Sequence, residues 1–455
     1  METHFSLQQL ADPRLKEAES ILRRCVHCGF CTATCSSYIL LGDERDSPRG
    51  RIYLIKDMLE NGRKASAEVR FHLDRCLSCL SCMTTCPSGV DYMHLVDFAR
   101  VHVEKTAPRP AKSRLTRRLL QSVLPHPSRF RTALWLGTLA KPFQRLLRKA
   151  GLTELAAMIG KASLPTASGT HKGPAVIAAK GKRRARVALL TGCAQSVLRP
   201  QINDATIEML TGQGVEVVLA RGEGCCGALV HHMGRDEAAR EFARGNILAW
   251  EHAMVETPLD AIIITASGCG TTVKDYGHLL ANDPVYADRA KTIAALAKDI
   301  TEFLAETIDI GAPQGWSDIR VAYHSACSMQ HGQRVNEQPR RLLRDAGFSV
   351  VEIGEGHICC GSAGTYNLLQ PEIAGELRER KLGNIRATEP DCVATGNIGC
   401  ITQLEGKDAP PIVHTVELLN WAYGGVCPAE IKHLRGRIRT MAEAFGEKQP
   451  EEAVA

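Results

Sequence analysis

The sequence is poor in aromatic residues and has no long apolar run. Phe, Trp and Tyr make up 5% of the 455 residues. The longest apolar run in the middle of the chain, Thr132 to Ala140, is far shorter than the roughly 20 residues of a membrane-spanning helix. The chain also lacks a G-x-G-x-x-G motif opening a βαβ unit, a P-loop and a Ser-His-Asp constellation. We therefore expect peripheral membrane contact at most, and no active site of these types.

Acidic residues are almost missing from one segment. Residues 111–182 contain fourteen Lys or Arg and a single acid, Glu154, whereas the whole chain has a net charge of +6. Prolines interrupt the segment, which argues against long helices there. This basic connector suits docking on an anionic membrane surface or an acidic partner, and a solvated linker is the alternative. Nucleic-acid binding is disfavoured, because aromatic residues are sparse and no recognised module accompanies the charge.

Cysteine, by contrast, is abundant, with 18 residues. Two runs, CVHCGFCTATC from Cys25 and CLSCLSCMTTCP from Cys76, share the spacing C-x₂-C-x₂-C-x₃-C. This is the ligand run of two-cluster ferredoxins, in which the fourth cysteine of each run binds the other cluster. We therefore assign one [4Fe-4S] cluster to Cys25, Cys28, Cys31 and Cys86, and a second to Cys35, Cys76, Cys79 and Cys82. Structural zinc sites use two C-x₂₋₄-C pairs rather than four thiols in one run. Disulfides are disfavoured because no secretory signal is visible.

The two runs are separated by forty residues, and Ser36 stands where the first run would carry a proline. The apolar spacing predicts a helix before Cys25, a second over Arg51–Glu60 and a third over Ala65–Asp74. Helices between the runs resemble the α-helical ferredoxin domain of fumarate reductase and heterodisulfide reductase subunits.

The rest of the chain is duplicated. Cys193 and the pair Cys225-Cys226 recur 134 residues later as Cys327 and Cys359-Cys360, and a third cysteine follows in each copy. Short apolar runs precede every cysteine position, and helical stretches lie between them, which predicts βαβ units with a parallel sheet. Because the carboxyl ends of parallel strands meet at one edge, we expect two convergent sets. These are Cys193, Cys225, Cys226 and Cys269, and Cys327, Cys359, Cys360 and Cys400.

Four convergent thiolates suit an iron–sulfur cluster or tetrahedral zinc, and unmetallated thiols are the third alternative. The pattern resembles the CCG domains of heterodisulfide reductase. In that family the last element is C-x₂-C, whereas Thr272 and Gln403 stand in place of the final cysteine here. This disfavours disulfide-cleaving chemistry. Five nearby histidines could be ligands or quinone partners, but we favour hydrogen bonding or packing beside the sites: His231, His232, His324, His331 and His357.

Four stretches resemble the iron–sulfur subunits of bacterial glycolate oxidase: CVHCGFCTATC, DSPRGRIYL from Asp46, CCGSAGTY from Cys359 and GNIGC ending at Cys400. The resemblance implies an electron-transfer subunit without catalytic residues, in the cytoplasm at the membrane. Flavoprotein partners with FAD would oxidise glycolate to glyoxylate, and electrons would pass to the quinone pool. Alternatives are the corresponding subunit of anaerobic glycerol-3-phosphate dehydrogenase, a thiol-disulfide enzyme like heterodisulfide reductase, and a zinc-stabilised scaffold.

The expected fold is therefore α+β and multidomain. An α-helical two-cluster ferredoxin domain would occupy residues 1–110, and the basic connector residues 111–182. Two CCG domains of the α/β class, each with a parallel sheet, would follow at 183–312 and 313–440, with an acidic tail at 441–455.

Overall fold

The computed structural model describes residues 1–149, 159–160, 169, 171, 173–313 and 315–440. Every regular element described before residue 111 is helical. The α-helices are Leu7–Leu10, Pro13–Arg24, Ser36–Leu41, Pro48–Glu60, Ala67–Asp74, Ser81–Thr85 and Tyr92–Thr106, with 3₁₀ turns at Phe30–Thr32 and Glu44–Asp46. The Pro48–Glu60 helix begins three residues earlier than predicted, because the Ser47 hydroxyl accepts a hydrogen bond from the backbone N–H of Gly50 and caps its first turn.

These helices enclose a small apolar core. Leu22, Ile55, Leu73 and Leu95 come from four different helices and are fully buried together. Burying a side chain of this size stabilises the fold by about 1.5–3 kcal/mol. Several cysteines of the two runs pack onto the same core, so the core fixes their positions.

The basic connector is more helical than we predicted. Its described part forms the helices Ala111–Val123, Pro127–Leu139 and Gln144–Lys149 and a 3₁₀ turn at Lys141–Phe143. Pro110 and Pro127 lie at helix starts, where a missing N–H costs nothing, and therefore delimit these helices rather than prevent them. The segment also supplies a strand, Ala175–Ile177, which joins the sheet of the first repeat.

The remaining chain contains eleven described strands in three sheets, numbered in chain order. They are β1 (Ala175–Ile177), β2 (Ala185–Leu190), β3 (Val215–Leu219), β4 (Ala261–Ile264), β5 (Ala297–Asp299), β6 (Gly315–Ser317), β7 (Arg320–Tyr323), β8 (Ser349–Glu352), β9 (Cys392–Thr395), β10 (Ile412–His414) and β11 (Ile438–Thr440). The sheet orders are β1-β3-β2-β4-β5, β10-β9-β7-β8 and β11-β6.

The two larger sheets confirm the predicted α/β architecture with parallel strands. Strands β3-β2-β4-β5 and β8-β7-β9-β10 are parallel and have the same order, whereas β1 is added antiparallel. Around the first sheet lie the helices Gln195–Leu198, Gln201–Gly212, Ala228–His232, Asp236–Met254, Ser267–Lys274, Tyr276–Leu279, Ala287–Leu296 and Ile300–Glu306. Around the second lie Glu337–Asp345, Tyr366–Leu369, Pro371–Arg386, Ile398–Leu404 and Thr415–Ala422, with a π-helix at Ser328–Gln333 and a 3₁₀ segment at Ala429–Arg437.

The two repeats pack reciprocally. The Gln201–Gly212 helix contacts Thr415–Ala422, and the Ile300–Glu306 helix contacts Glu337–Asp345. One continuous apolar cluster spans both sheets as a result. The repeats are therefore held as a pair, with their cysteine-bearing edges in a fixed relation. The predicted acidic tail, 441–455, lies outside the described residues.

Candidate metal centres

The first N-terminal cavity is lined by cysteines from both runs. Cys25, Cys28 and Cys31 line it together with Cys86, and Cys82 is a further lining residue. The chain turns tightly around this space, because His27 and Gly29 both have positive φ angles, 54° and 88°. The structure thus places the last cysteine of the second run beside the first three of the first run.

The second cavity shows the reciprocal arrangement. Cys35 lines it together with Cys76, Cys79 and Cys82. Its loop repeats the left-handed turns of the first, at Ser78 and Leu80 with φ angles of 50° and 62°. Because Cys82 lines both cavities, the two spaces adjoin. Each cavity therefore offers four thiols around one space, which is the donor set of a [4Fe-4S] cluster.

A buried guanidinium lies beside the second cavity. Arg51 is 1% exposed and donates hydrogen bonds to the hydroxyl of Ser37 (3.0 Å), the carbonyl of His72 (2.8 Å) and the carboxylate of Asp46 (3.2 Å). The Ser37 hydroxyl in turn lies 3.3 Å from Sγ of Cys35. The DSPRGRIYL stretch therefore places an ion pair, Arg51 with Asp46, next to this cysteine set.

This charge affects the neighbouring thiols. Burial raises the pKa of Cys79 and of Cys82 well above the usual value. At Cys76 burial acts in the same direction, but the guanidinium groups of Arg51 and Arg100 outweigh it and lower the pKa. These two guanidinium groups therefore favour the thiolate form of Cys76 in the second cavity.

The first repeat brings its four predicted cysteines together. Cys193 follows β2, Cys225 and Cys226 follow β3, and Cys269 lies in the helix after β4. The Sγ atoms of Cys193 and Cys225 are 3.5 Å apart, and the thiol of Cys226 interacts with those of Cys225 and Cys269. The contact with Cys225, together with burial, raises the pKa of Cys193 well above its usual value.

The second repeat forms the matching set. The Sγ atoms of Cys360 and Cys400 are 3.5 Å apart, and Cys359 interacts with both Cys327 and Cys360. Gly361, with a φ of +89°, lets the loop approach the helix behind it, where an added Cβ would lie 2.5 Å from the carbonyl oxygen of Ala374. Each repeat therefore holds four thiols at one sheet edge, a donor set that fits an iron–sulfur cluster or zinc.

The residues in place of a fifth cysteine have structural contacts. Thr272 donates a hydrogen bond to the carbonyl of Gly268. Gln403 is buried, and its amide donates to the carbonyl of Ala374 at 3.0 Å. Both side chains stabilise their own helices and neighbours rather than offer a ligand.

The nearby histidines separate into different environments. His231 and His232 contact the buried carboxylate of Asp97, and His331 is bonded to the hydroxyl of Thr84 at 2.8 Å. His324 instead lies at the second cysteine set, where burial, with a smaller effect of Lys381, lowers its pKa to about 3. Its imidazole is therefore neutral and keeps a free lone pair.

The second N-terminal cavity abuts the second repeat, a juxtaposition that sequence reasoning missed. Cys79 and Cys327 pack against one apolar cluster that contains Leu77, Ile358 and Cys359. No sequence motif indicates this contact, because residues more than 240 positions apart in the sequence come together only in the folded chain.

Comparison with known proteins identifies the domains to which these regions belong. Residues 24–90 match the family described as "4Fe-4S dicluster domain", and residues 187–274 and 321–405 match the one described as "Cysteine-rich domain". The fold is similar to that in the crystal structure of a hypothetical protein from Helicobacter pylori. The TM-score is 0.52 at 10% sequence identity, over 92% of this chain and 74% of that one. It supports the fold alone.

Relatives with longer similarity identify the family. The chain is 41% identical to the glycolate oxidase iron-sulfur subunit of Escherichia coli K12, over 93% of this chain and 99% of the relative. It is 31% identical to the probable glycolate oxidase iron-sulfur subunit of Bacillus subtilis 168, over 89% and 93%. Lactate utilization protein A of an Exiguobacterium species is 27% identical over 51% of this chain and 96% of the relative. These findings confirm the resemblance seen in the sequence, and the chain belongs to the family of glycolate oxidase iron–sulfur subunits.

Proposed function

We propose that this chain carries electrons from flavoprotein partners, which oxidise glycolate to glyoxylate, toward the quinone pool. It does so as a subunit without a substrate site of its own, on the cytoplasmic face of the membrane. Bound at the two N-terminal cysteine sets, [4Fe-4S] clusters would accept and release single electrons, whereas the alcohol oxidation would belong to FAD on a partner. The relatives named for glycolate oxidase favour glycolate as the substrate of the complex.

One observation carries the proposal: the cysteine sets follow each other through direct contacts. The second N-terminal set meets the second repeat at Cys79 and Cys327. The residue after Cys327, Ser328, then bonds to Ser267 in the first repeat, with a distance of 2.7 Å between the hydroxyl oxygens. Ser267 begins the helix that contains Cys269. The chain's residues thus arrange four thiol-rich sites in a continuous series.

The flavoprotein side of this series is the first N-terminal cavity. Of the cysteines, all of which lie in the described part of the chain, Cys28 alone is exposed. Around it the side chains of Val26, Phe30 and Tyr53 are each at least 60% exposed. Apolar side chains around an accessible ligand suit a protein partner that must approach the site closely.

The membrane side of the series of cysteine sites is the basic connector. No described helix is long and apolar enough to cross a bilayer. The Pro127–Leu139 helix nevertheless leaves Trp135, Leu136 and Leu139 more than half exposed, and Phe143 and Leu146 continue this apolar surface. Residues 111–149 contain ten Lys or Arg and no Asp or Glu. An apolar face in a segment of strong net positive charge fits the surface of an anionic bilayer.

The connector also touches the last site of the series. Phe130 and Leu134, on the inner face of the Pro127–Leu139 helix, pack on Val197, with Ala194 beside it. Ala194 directly follows Cys193. A bilayer bound by the outer face would therefore lie on the side of the molecule that carries the first-repeat cysteines.

The proposal is tested with the chain assembled with its flavoprotein partners. Under anaerobic conditions, glycolate should produce the EPR signals of reduced [4Fe-4S] clusters, and a soluble quinone should then remove them. Lactate and glycerol 3-phosphate serve as competing donors. A flavin that glycolate reduces while the cluster signals stay unchanged would contradict the proposal. Reduction by glycerol 3-phosphate alone would assign the chain to that other dehydrogenase.

A further inference from the structure

The two cysteine sites of the repeats are not equivalent. We propose that His324 is an additional ligand of an iron–sulfur cluster in the second repeat, beside Cys327, Cys359, Cys360 and Cys400. The inference rests on the proposed metal occupancy of the repeats. It gives the second site an imidazole that the first site lacks.

The position of His324 is set by the sheet. It directly follows β7, and its backbone N–H donates a hydrogen bond of 2.9 Å to the carbonyl of Ala394 in β9. A ring nitrogen lies within 4.8 Å of the Sγ atoms of Cys360 and Cys400. Protein ligands of one metal centre are separated by distances of this order.

One nitrogen of the imidazole also lacks a partner among the described residues. His324 is 2% exposed, and its Nε2 atom is buried without a hydrogen-bond partner among the described residues. A buried polar nitrogen without a partner costs free energy, on the order of 1–3 kcal/mol. A metal ion at the thiols would remove that cost by accepting the lone pair.

Comparison of the repeats shows that this feature is specific to one of them. The offset of 134 that relates Cys193 to Cys327 relates Leu190 to His324. The strand registers agree, because Val187 pairs with Ala261 in one sheet as Val321 pairs with Cys392 in the other. The first site therefore has an apolar side chain where the second has a nitrogen donor.

A second difference lies on the helix behind the site. Gly227 contacts Ala239 in the first repeat, and Gly361 contacts Ala374 in the second. Equivalent positions of these two helices are therefore 135 residues apart in the sequence. By this offset, Asn246 of the first repeat corresponds to Lys381 of the second. The ammonium of Lys381 is buried and donates to the carbonyl of Glu355 at 2.7 Å. The second site thus combines a neutral imidazole with a nearby positive charge.

The buried ammonium of Lys381 favours a reduced cluster, because a fixed positive charge stabilises the more negative, reduced state. The second-repeat site should therefore accept electrons more readily than the first-repeat site.

Pulsed EPR of the reduced, full-length chain tests the ligand directly. We expect a ¹⁴N coupling that changes to a ¹⁵N pattern when the protein is grown with ¹⁵N-labelled histidine. His324→Leu, which copies the first repeat, should abolish this coupling. Leu190→His should introduce a second coupling.

Two results would overturn the inference. One is a histidine coupling that is absent from the wild type or unchanged in His324→Leu. The other is a repeat region without iron in the quantified sample. The two N-terminal clusters are counted in the same sample, so their presence separates a failure of this inference from a failure of the proposed function. His324→Cys keeps a donor and serves as the variant that retains metal if His324→Leu does not fold.

Discussion

The backbone N–H of Cys359 donates a hydrogen bond of 3.1 Å to the hydroxyl of Ser36, and both groups are buried. Ser36 directly follows Cys35, so this bond joins the second N-terminal cysteine set to the second repeat. A proline at position 36, which the ligand run would otherwise predict, could not accept it. The departure from the ferredoxin pattern is therefore explained by a contact between the two regions.

The crossed arrangement of the N-terminal cysteines can be tested with Cys86→Ser. Cys86 belongs to the second run, but it lines the cavity of Cys25, Cys28 and Cys31. We expect the variant to lose or convert the cluster of the first run, with the EPR signal of the other cluster kept. Cys427→Ser, at a buried cysteine away from both cavities, is the control. Loss of the second-run cluster alone would contradict the crossed assignment.

Arg51 should set the potential of the second N-terminal cluster. A fixed positive charge favours the more negative, reduced state, so Arg51→Met should lower the potential, whereas Arg51→Lys should keep most of it. Arg51→Met also leaves the buried Asp46 carboxylate less compensated, and we expect a loss of about 3 kcal/mol in the free energy of unfolding. EPR-monitored redox titration and denaturant unfolding measure the two effects.

The double variant Asp46→Asn with Arg51→Met is the matched control, because it removes both charges. Its stability should recover relative to Arg51→Met alone. A cluster potential that is the same in all of these variants would contradict the assigned role of Arg51.

The sequence predicted the cysteine sets and the strands before them, because ligand spacing and apolar runs are local features. It could not predict that Cys79 meets Cys327, since this contact depends on how the N-terminal helices dock on the repeats. It also underestimated the helix content of the connector, because prolines at helix starts were interpreted as helix breakers. His324 was noted among five histidines, and only its burial beside Cys360 and Cys400 distinguishes it.

The contact between the N-terminal region and the first repeat should depend on pH. His94 bonds to Asp91 at 2.7 Å and to Asp275 at 3.0 Å, and it stacks on His278, which faces Glu17. Burial disfavours its charged form, but the bonds to Asp275 and Asp91 outweigh burial and raise the pKa of His94 to about 10. Its stabilisation is then complete below the unfolded pKa of about 6.5 and is lost as the pH rises through about 10.

His94→Gln should therefore lower the apparent Tm most at pH 6.5, by about 1 °C for each kcal/mol lost. The difference from wild type should shrink by pH 10. His102→Gln, at a half-buried position of the same helix, serves as the comparison. A Tm difference for His94→Gln that grows with pH would contradict this account.

The exposed face of the connector predicts binding to anionic vesicles. The triple variant Trp135→Ser, Leu136→Ser and Leu139→Ser should weaken co-sedimentation with phosphatidylglycerol-containing vesicles by at least about ten-fold, because it removes the apolar area that would enter the bilayer. Added salt should weaken wild-type binding as well. Val285→Ser, at an exposed apolar residue elsewhere, should have no effect. Equal binding of wild type and the triple variant would exclude this face.

The most direct test of the whole account is quantification of iron, sulfide and zinc in the anaerobically purified chain, with EPR of the dithionite-reduced sample. The continuous series of thiol-rich sites predicts clearly more than the about eight irons of two [4Fe-4S] clusters, further EPR signals and no zinc. About eight irons with zinc in the repeats, or with metal-free thiols there, would contradict it and confine electron transfer to the N-terminal region.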